Sequence, residues 1–143
     1  MTSVQDLIEH LDLAPHPEGG YYKRTYQNKA GPKGRGHATA IYYLMEDDGF
    51  NKWHRTDGDE LWFWHAGAPL TLEIDIARKG VHSFILGTDF VAGQQPQILA
   101  PANHWQRAKS NGPWTLVSCS VSPGFIFENH ELIEDKAWHP DTQ

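Results

Sequence analysis

The chain opens with apolar residues at helical spacing. Val4, Leu7, Ile8 and Leu11 fall on one side if residues 3–13 wind as a helix. Ser3 caps that segment, Asp6 stands three positions on to return the bond, and Pro15 and Pro17 close it. Beyond it the period changes to two. Residues 70–76 (LTLEIDI) alternate most clearly, with Leu70, Leu72, Ile74 and Ile76 on one face and Thr71, Glu73 and Asp75 on the other. Aromatic and β-branched runs at 21–26, 37–45, 53–56, 60–65, 82–86, 97–99, 104–109 and 115–121 read as further strands. Turn residues separate them, as at Asp47-Asp48-Gly49, Asp57-Gly58-Asp59 and Asn111-Gly112-Pro113. Many short strands between close turns predict an all-β sandwich or barrel with one short N-terminal helix.

The length of 143 residues suits one domain over 1–143. Within it the pattern assigns 3–13 to the helix, about 20–133 to the barrel and 134–143 to a charged tail. Lys and Arg total 12 against 18 Asp and Glu, a net charge of −6, and the basic residues are scattered. No nucleic-acid partner is expected from such a surface. No apolar stretch approaches the ~20 residues of a membrane span, so no membrane partner is expected either. The N-terminus lacks a basic segment followed by an apolar one, which argues against a secretory leader. The one cysteine, Cys119, has no internal partner, and a reducing, cytoplasmic setting is expected. Six Trp, five Tyr, six Phe and nine His are enough to line a ligand pocket as well as a core.

The candidate chemistry centres on residues 49–67, GFNKWHRTDGDELWFWHAG. His54 and Thr56 share a face of an extended segment, and Glu60 opens the next strand. A hairpin between the two segments would bring Glu60 opposite His54. Glu60, Trp62 and Trp64 would then share one strand face. Two ionisable groups aimed into a barrel are costly unless paired or used. The functional reading makes His54 a general base and Glu60 its orienter; the structural one makes them an interior pair holding the hairpin. Trp62 and Trp64 are candidates for an aromatic pocket wall, with core filling the alternative. Glu18 and Arg24 are further candidates beside the His16-to-Gly20 turn. Arg24 and Tyr26 would share a strand face and could bind an anionic or hydroxylated ligand, with Tyr26 (or Tyr42) as general acid. His65 and His104 are expected to face outward or into the sheet interface in structural roles, Cys119 to fill a small apolar space, and Phe125 and Phe127 to lie at the barrel mouth or a dimer contact.

The same residues resemble the first metal-binding motif of the cupin superfamily, with His54, Thr56, Glu60 and Gly67 at its His, His, Glu and Gly positions. Pro101 to Gln106 resembles the second motif, with Asn103 at its Gly and Gln106 at its His. Two imidazole positions are thus a hydroxyl and an amide, weaker donors for a transition metal. Longer stretches, HPEGGYYKRTY (16–26), AIYYLM (40–45), DELWFWHAGAPL (59–70) and VSPGFIFENHEL (121–132), are similar to the small cupins of the Cupin_5 or DUF985 family. That resemblance implies a cupin double-stranded β-helix, or jelly-roll barrel, with its pocket inside, a homodimer, and a sugar-epimerase-like activity. The ligand expected is a small, carbohydrate-like molecule in contact with Glu18, Arg24, Thr56, Trp62, Trp64 and Gln106. The reaction expected is a metal-independent epimerisation or isomerisation using His54, Glu60 and Tyr26, with no cofactor. The alternatives are a divalent metal held by His54, Glu60 and Gln106 in an oxygenase or isomerase, and a non-catalytic binding module.

Overall fold

A computed structural model describes residues 2–30, 35–76 and 79–132. Helix α1 spans Val4–Leu11, inside the expected 3–13. Ser3 Oγ accepts from the Asp6 N–H at 3.1 Å, and Asp6 Oδ2 accepts from the Ser3 N–H at 3.0 Å, a reciprocal cap. Asp12 ends the helix in the left-handed region. No residue of α1 is buried. Among the described residues no helix is long and apolar enough to cross a membrane.

The rest is β-structure in two antiparallel sheets, the cupin jelly-roll arrangement. One sheet has the order β1 (Ala14–Pro15), β2 (Tyr21–Gln27), β3 (Thr39–Glu46), β10 (Trp114–Ser122), β5 (Asp59–Gly67), β8 (Gln97–Ala100). The other runs β11 (Glu131–Leu132), β4 (His54–Arg55), β9 (Gln106–Ser110), β6 (Leu70–Ile76), β7 (Gly80–Leu86). The core forms where the inward faces meet. Leu70, Leu72 and Ile74 from β6 pack with Tyr43 and Met45 of β3, Trp62 of β5 and Val117 of β10, all buried. The alternation read at 70–76 is therefore the core face of a strand.

Two expectations change. The segment around His54 and the strand opened by Glu60 do not form a hairpin. His54 on β4 is opposite Gln106 of β9 and Leu132 of β11, whereas Glu60 on β5 is opposite Val121 of β10 and Ala100 of β8. The turn between them crosses from one sheet to the other, and Gly58 lets it pass close to β10. A Cβ there would stand 2.7 Å from both Pro123 O and Val121 Cγ1. Secondly, Arg24 and Tyr26 are not in phase. Arg24 pairs with Ile41 and Tyr26 with Ala40, so a β-bulge intervenes. Arg24 points inward, while Tyr26 is 52% exposed.

Candidate active site

The site begins in the loop between β1 and β2. The His16 N–H donates to Gly20 O at 2.9 Å and the Gly19 N–H to His16 O at 3.0 Å, closing a tight turn. Gly20 adopts φ +77°, and a Cβ on it would lie 2.7 Å from the Tyr43 ring. The Tyr43 hydroxyl donates to Gly19 O, Asn51 Nδ2 donates to the Tyr43 oxygen at 3.0 Å, and the Lys52 N–H donates to Glu18 O at 2.8 Å. This clamp turns the Glu18 side chain into the interior, where the residue is 5% exposed.

Three imidazoles surround Glu18. His130 Nε2 lies 3.0 Å and His54 Nε2 3.3 Å from Glu18 Oε2, with His16 Nδ1 at 3.8 Å. Burial would raise the Glu18 carboxyl, but the imidazoles outweigh it and take the group down to about 2, so Glu18 is ionised at neutral pH. Burial pushes His54 and His16 below their ordinary value, and the Glu18 charge partly opposes it. His54 Nδ1 lies 2.8 Å from Lys52 O, which can only accept. The proton therefore sits on Nδ1, and Nε2 is left to take up another beside Glu18.

Glu60 faces this group from the other sheet. Burial, reinforced by the Glu18 charge, pushes its carboxyl up to about 8, so it stays protonated at neutral pH. Gln106 Nε2 donates to Glu60 Oε1 at 2.7 Å, and Trp62 Nε1 donates to Gln106 Oε1 at 2.9 Å. Indole can only donate, so the chain of bonds fixes the amide with its oxygen on Trp62 and its NH₂ on Glu60. Cys119 also touches Glu60, and burial raises its thiol well above the ordinary value.

His54, Thr56 and Glu60 line one cavity with His16, Glu18, Tyr22, Arg24, Cys119, Phe125 and His130. Its water-accessible volume is about 30 Å³. The residues after β10 form its outer wall, tied down by Arg24 Nη2 to Phe125 O, Arg35 Nε to Gly124 O at 2.6 Å and the Phe125 N–H to Thr39 Oγ1 at 2.9 Å. Thr56 is 4% exposed, and its Oγ1 has no hydrogen-bond partner among the described residues.

Of the sequence candidates, the structure brings Glu18, Arg24, His54, Thr56 and Glu60 together. The carboxylate beside His54 is Glu18, not Glu60, because β4 and β5 belong to different sheets. Trp62 is fully buried in the core and reaches the site only through Gln106; Trp64 packs against the core with Nε1 on Ala68 O at 3.0 Å. Neither walls the cavity, and Gln106 stands behind Glu60. Tyr26 is directed away by the bulge, its hydroxyl accepting from Asn28. His65 does face outward, next to Ser118 Oγ. His130 escaped the sequence reading: it precedes a two-residue strand with no periodic signal, and only its place in the SPGFIFENHEL stretch set it apart.

The four positions that hold a metal in the cupin motifs do not fit one here. Gln106 turns its N–H donors, not its oxygen, toward the site. Thr56 offers only a hydroxyl, Glu60 Oε1 is taken by the Gln106 amide, and His54 is the one imidazole of the set. Among the described residues no group of three or more His, Cys, Asp or Glu is placed to hold a metal ion.

A model of the Cupin_5 family, described as "Cupin superfamily (DUF985)", matches residues 5–133. Protein SO0799 of Shewanella oneidensis has a solved structure that is 34% identical and superposes with a TM-score of 0.88, covering 92% of this chain and 85% of its own. A hypothetical protein from Leishmania major is 28% identical with a TM-score of 0.83, covering 91% and 86%. The uncharacterized yeast protein YML079W (Saccharomyces cerevisiae) is 28% identical over 163 residues, 96% of this chain and 80% of that protein.

Proposed function

The chain belongs to the Cupin_5 (DUF985) family of the cupin superfamily, and from that premise we propose that it binds a small polar, carbohydrate-like carbonyl compound inside the barrel and moves a proton on it without a metal. One observation carries the reading. A proton acceptor, His54 Nε2 backed by Glu18, and a proton donor, Glu60, stand on opposite sheets and line the same cavity. Groups whose surroundings drive their protonation apart are what acid–base catalysis at neutral pH requires.

In this reading His54 Nε2 takes a proton from the carbon next to the carbonyl. The C–H electron pair forms the enol double bond, and the carbonyl oxygen receives the Glu60 proton. The Glu18 carboxylate stabilises the imidazolium. Return of the His54 proton to the opposite face of that carbon after the enol has turned, with Glu60 recovering its proton from the enol oxygen, completes an epimerisation; return to the former carbonyl carbon, with Glu60 recovering a proton from the neighbouring α-hydroxyl instead, completes an isomerisation. A positioned acid or base of this kind contributes ~10²–10⁴-fold. The cavity's present size holds only a water or two. A ligand as large as a sugar therefore enters when the wall from Phe125 to His130 swings outward.

The test is exchange of carbon-bound protons of dihydroxyacetone and fructose into D₂O, followed by NMR. Wild-type protein is expected to accelerate exchange, with His54→Gln and Glu60→Gln each reducing it at least a hundredfold. Equal exchange by wild type and both variants would remove the acid–base reading.

A further inference from the structure

Resting on the acid–base reading of this cavity, we infer that its preferred ligand carries a carboxylate: the substrate class is a small carbohydrate-like carbonyl compound with an acid group, for which neutral ketoses are weaker analogues, and Arg24 and Thr56 hold that acid group. The first observation is an arginine left over. Arg35, Arg55 and Arg107 each close on a carboxylate, Asp57, Glu131 and Glu73 respectively. Arg24 closes on none among the described residues. Its bond is Nη2 to Phe125 O at 3.3 Å, long for an N–H···O contact. This partly buried guanidinium lines the cavity and also the outer groove formed by Tyr22, Phe125, Ile126 and Phe127, so it stands where a ligand would enter. A guanidinium presents a planar fork of donors that matches a carboxylate in two parallel bonds.

The second observation is independent of charge. The Thr56 hydroxyl is buried against the same cavity with no partner among the described residues. An unmet buried hydroxyl is rare in a native interior and asks for a ligand oxygen or a water. Glu60, protonated, adds a third donor. On the acceptor side Glu18 is already engaged, by His130 at 3.0 Å and by the Asn51 amide at 3.4 Å. Apart from His54 Nε2, the base of the proposed reaction, the unsatisfied capacity facing the cavity is thus donor capacity, and Arg24 is its cation not closed on a carboxylate among the described residues. A neutral polyol, which brings as many donors as acceptors, fits that balance less well than an anion. One guanidinium and one hydroxyl suit the single charge of a carboxylate better than the nearly double charge of a phosphate monoester.

Calorimetric titration of the full chain with matched probes tests this: pyruvate against methyl pyruvate, glucuronate against glucose, and glucose 6-phosphate. At about 10 mM, ten times a millimolar Kd, at least one of the two acids is expected to bind at least tenfold more tightly than its neutral counterpart. Arg24→Gln should weaken that binding roughly tenfold to a hundredfold, with Arg24→Lys in between, and Thr56→Val should weaken it severalfold. Thermal midpoints of the three variants serve as the folding control. The inference is overturned if neither acid binds, if a neutral counterpart or the phosphate binds as tightly as the acids, or if Arg24→Gln changes nothing. The two readings fail separately. Glu60-dependent proton exchange in neutral carbonyl compounds, with no preference for acids, keeps the acid–base pair and removes the carboxylate. Arg24-dependent binding of an acid whose protons never exchange keeps the carboxylate and removes the acid–base pair.

Discussion

Glu60→Gln replaces a buried carboxylic acid with an amide of the same shape, and its effect depends on pH. Glu60 is raised from an ordinary 4.5 to about 8. Between those values the unfolded chain has given up this proton and the folded chain has kept it. The unfolded state binds fewer protons, so stability falls as pH rises. The stability that Glu60 contributes is fully present below pH 4.5 and is lost as pH climbs through 8. A shift of this size amounts to about 5 kcal/mol over the whole window, and roughly 3 kcal/mol of it falls between pH 5 and pH 8. The amide does not titrate. Its oxygen can accept from Gln106 as Glu60 Oε1 does, so the chain of bonds to Trp62 survives. Urea unfolding of both proteins at pH 5 and pH 8 isolates the term, because every other group cancels in the comparison. The variant should gain roughly 3 kcal/mol on wild type across that interval. Parallel stabilities within about 0.5 kcal/mol would mean that Glu60 ionises normally, and the general acid of the proposed reaction would be lost with it.

Glu18→Gln removes the charge that helps to hold Glu60 protonated, so the Glu60 carboxyl should titrate below its wild-type value of about 8 in a carbon-13 NMR titration; no change would show that burial acts alone. Glu18 itself is held at about 2, below its ordinary 4.5, so its contribution is present above pH 4.5 and lost as pH falls toward 2; the variant should lack that acid-side loss in urea melts. Trp62→Phe strips Gln106 Oε1 of its donor as well as removing buried volume, and its cost in the same assay should exceed by about 1–3 kcal/mol the cost of the same change made in a Gln106→Met background; equal costs would leave Trp62 a purely apolar role. Since Gln106 turns its N–H donors toward Glu60, dialysis against EDTA is expected to leave the thermal midpoint unchanged. A stoichiometric ion in untreated protein, with a lower midpoint after chelation, would refute that orientation.

The fold was legible in the sequence because period-two alternation reports a strand with one buried face. LTLEIDI became β6 with its boundaries intact, and Ser3 and Asp6 marked the helix start as read. The pairing of strands was not legible. Residues 54 and 60 are close in sequence with a turn between them, which is how a hairpin looks; nothing local states that the turn crosses between sheets. The bulge in β2 was invisible for a related reason. Simple alternation keeps Arg24 and Tyr26 in phase, and one extra residue puts them on opposite sides. His130 could not be reached by periodicity, since a strand of two residues has none.

On the proposed reading, those same misreadings explain why the site can combine an acid and a base. Had β4 and β5 formed a hairpin, His54 and Glu60 would be cross-strand neighbours, close enough to pair and settle into one shared protonation state. Placed on opposing sheets, they take separate partners. His54 goes to Glu18, carried in by the His16–Gly20 turn, and Glu60 goes to Gln106, fixed by Trp62. The Glu18 charge then acts on both: it favours protonation of His54 and opposes ionisation of Glu60. One buried carboxylate thus prepares a base on one wall and an acid on the other, and the crossing at Gly58 is the backbone feature that keeps the two walls apart.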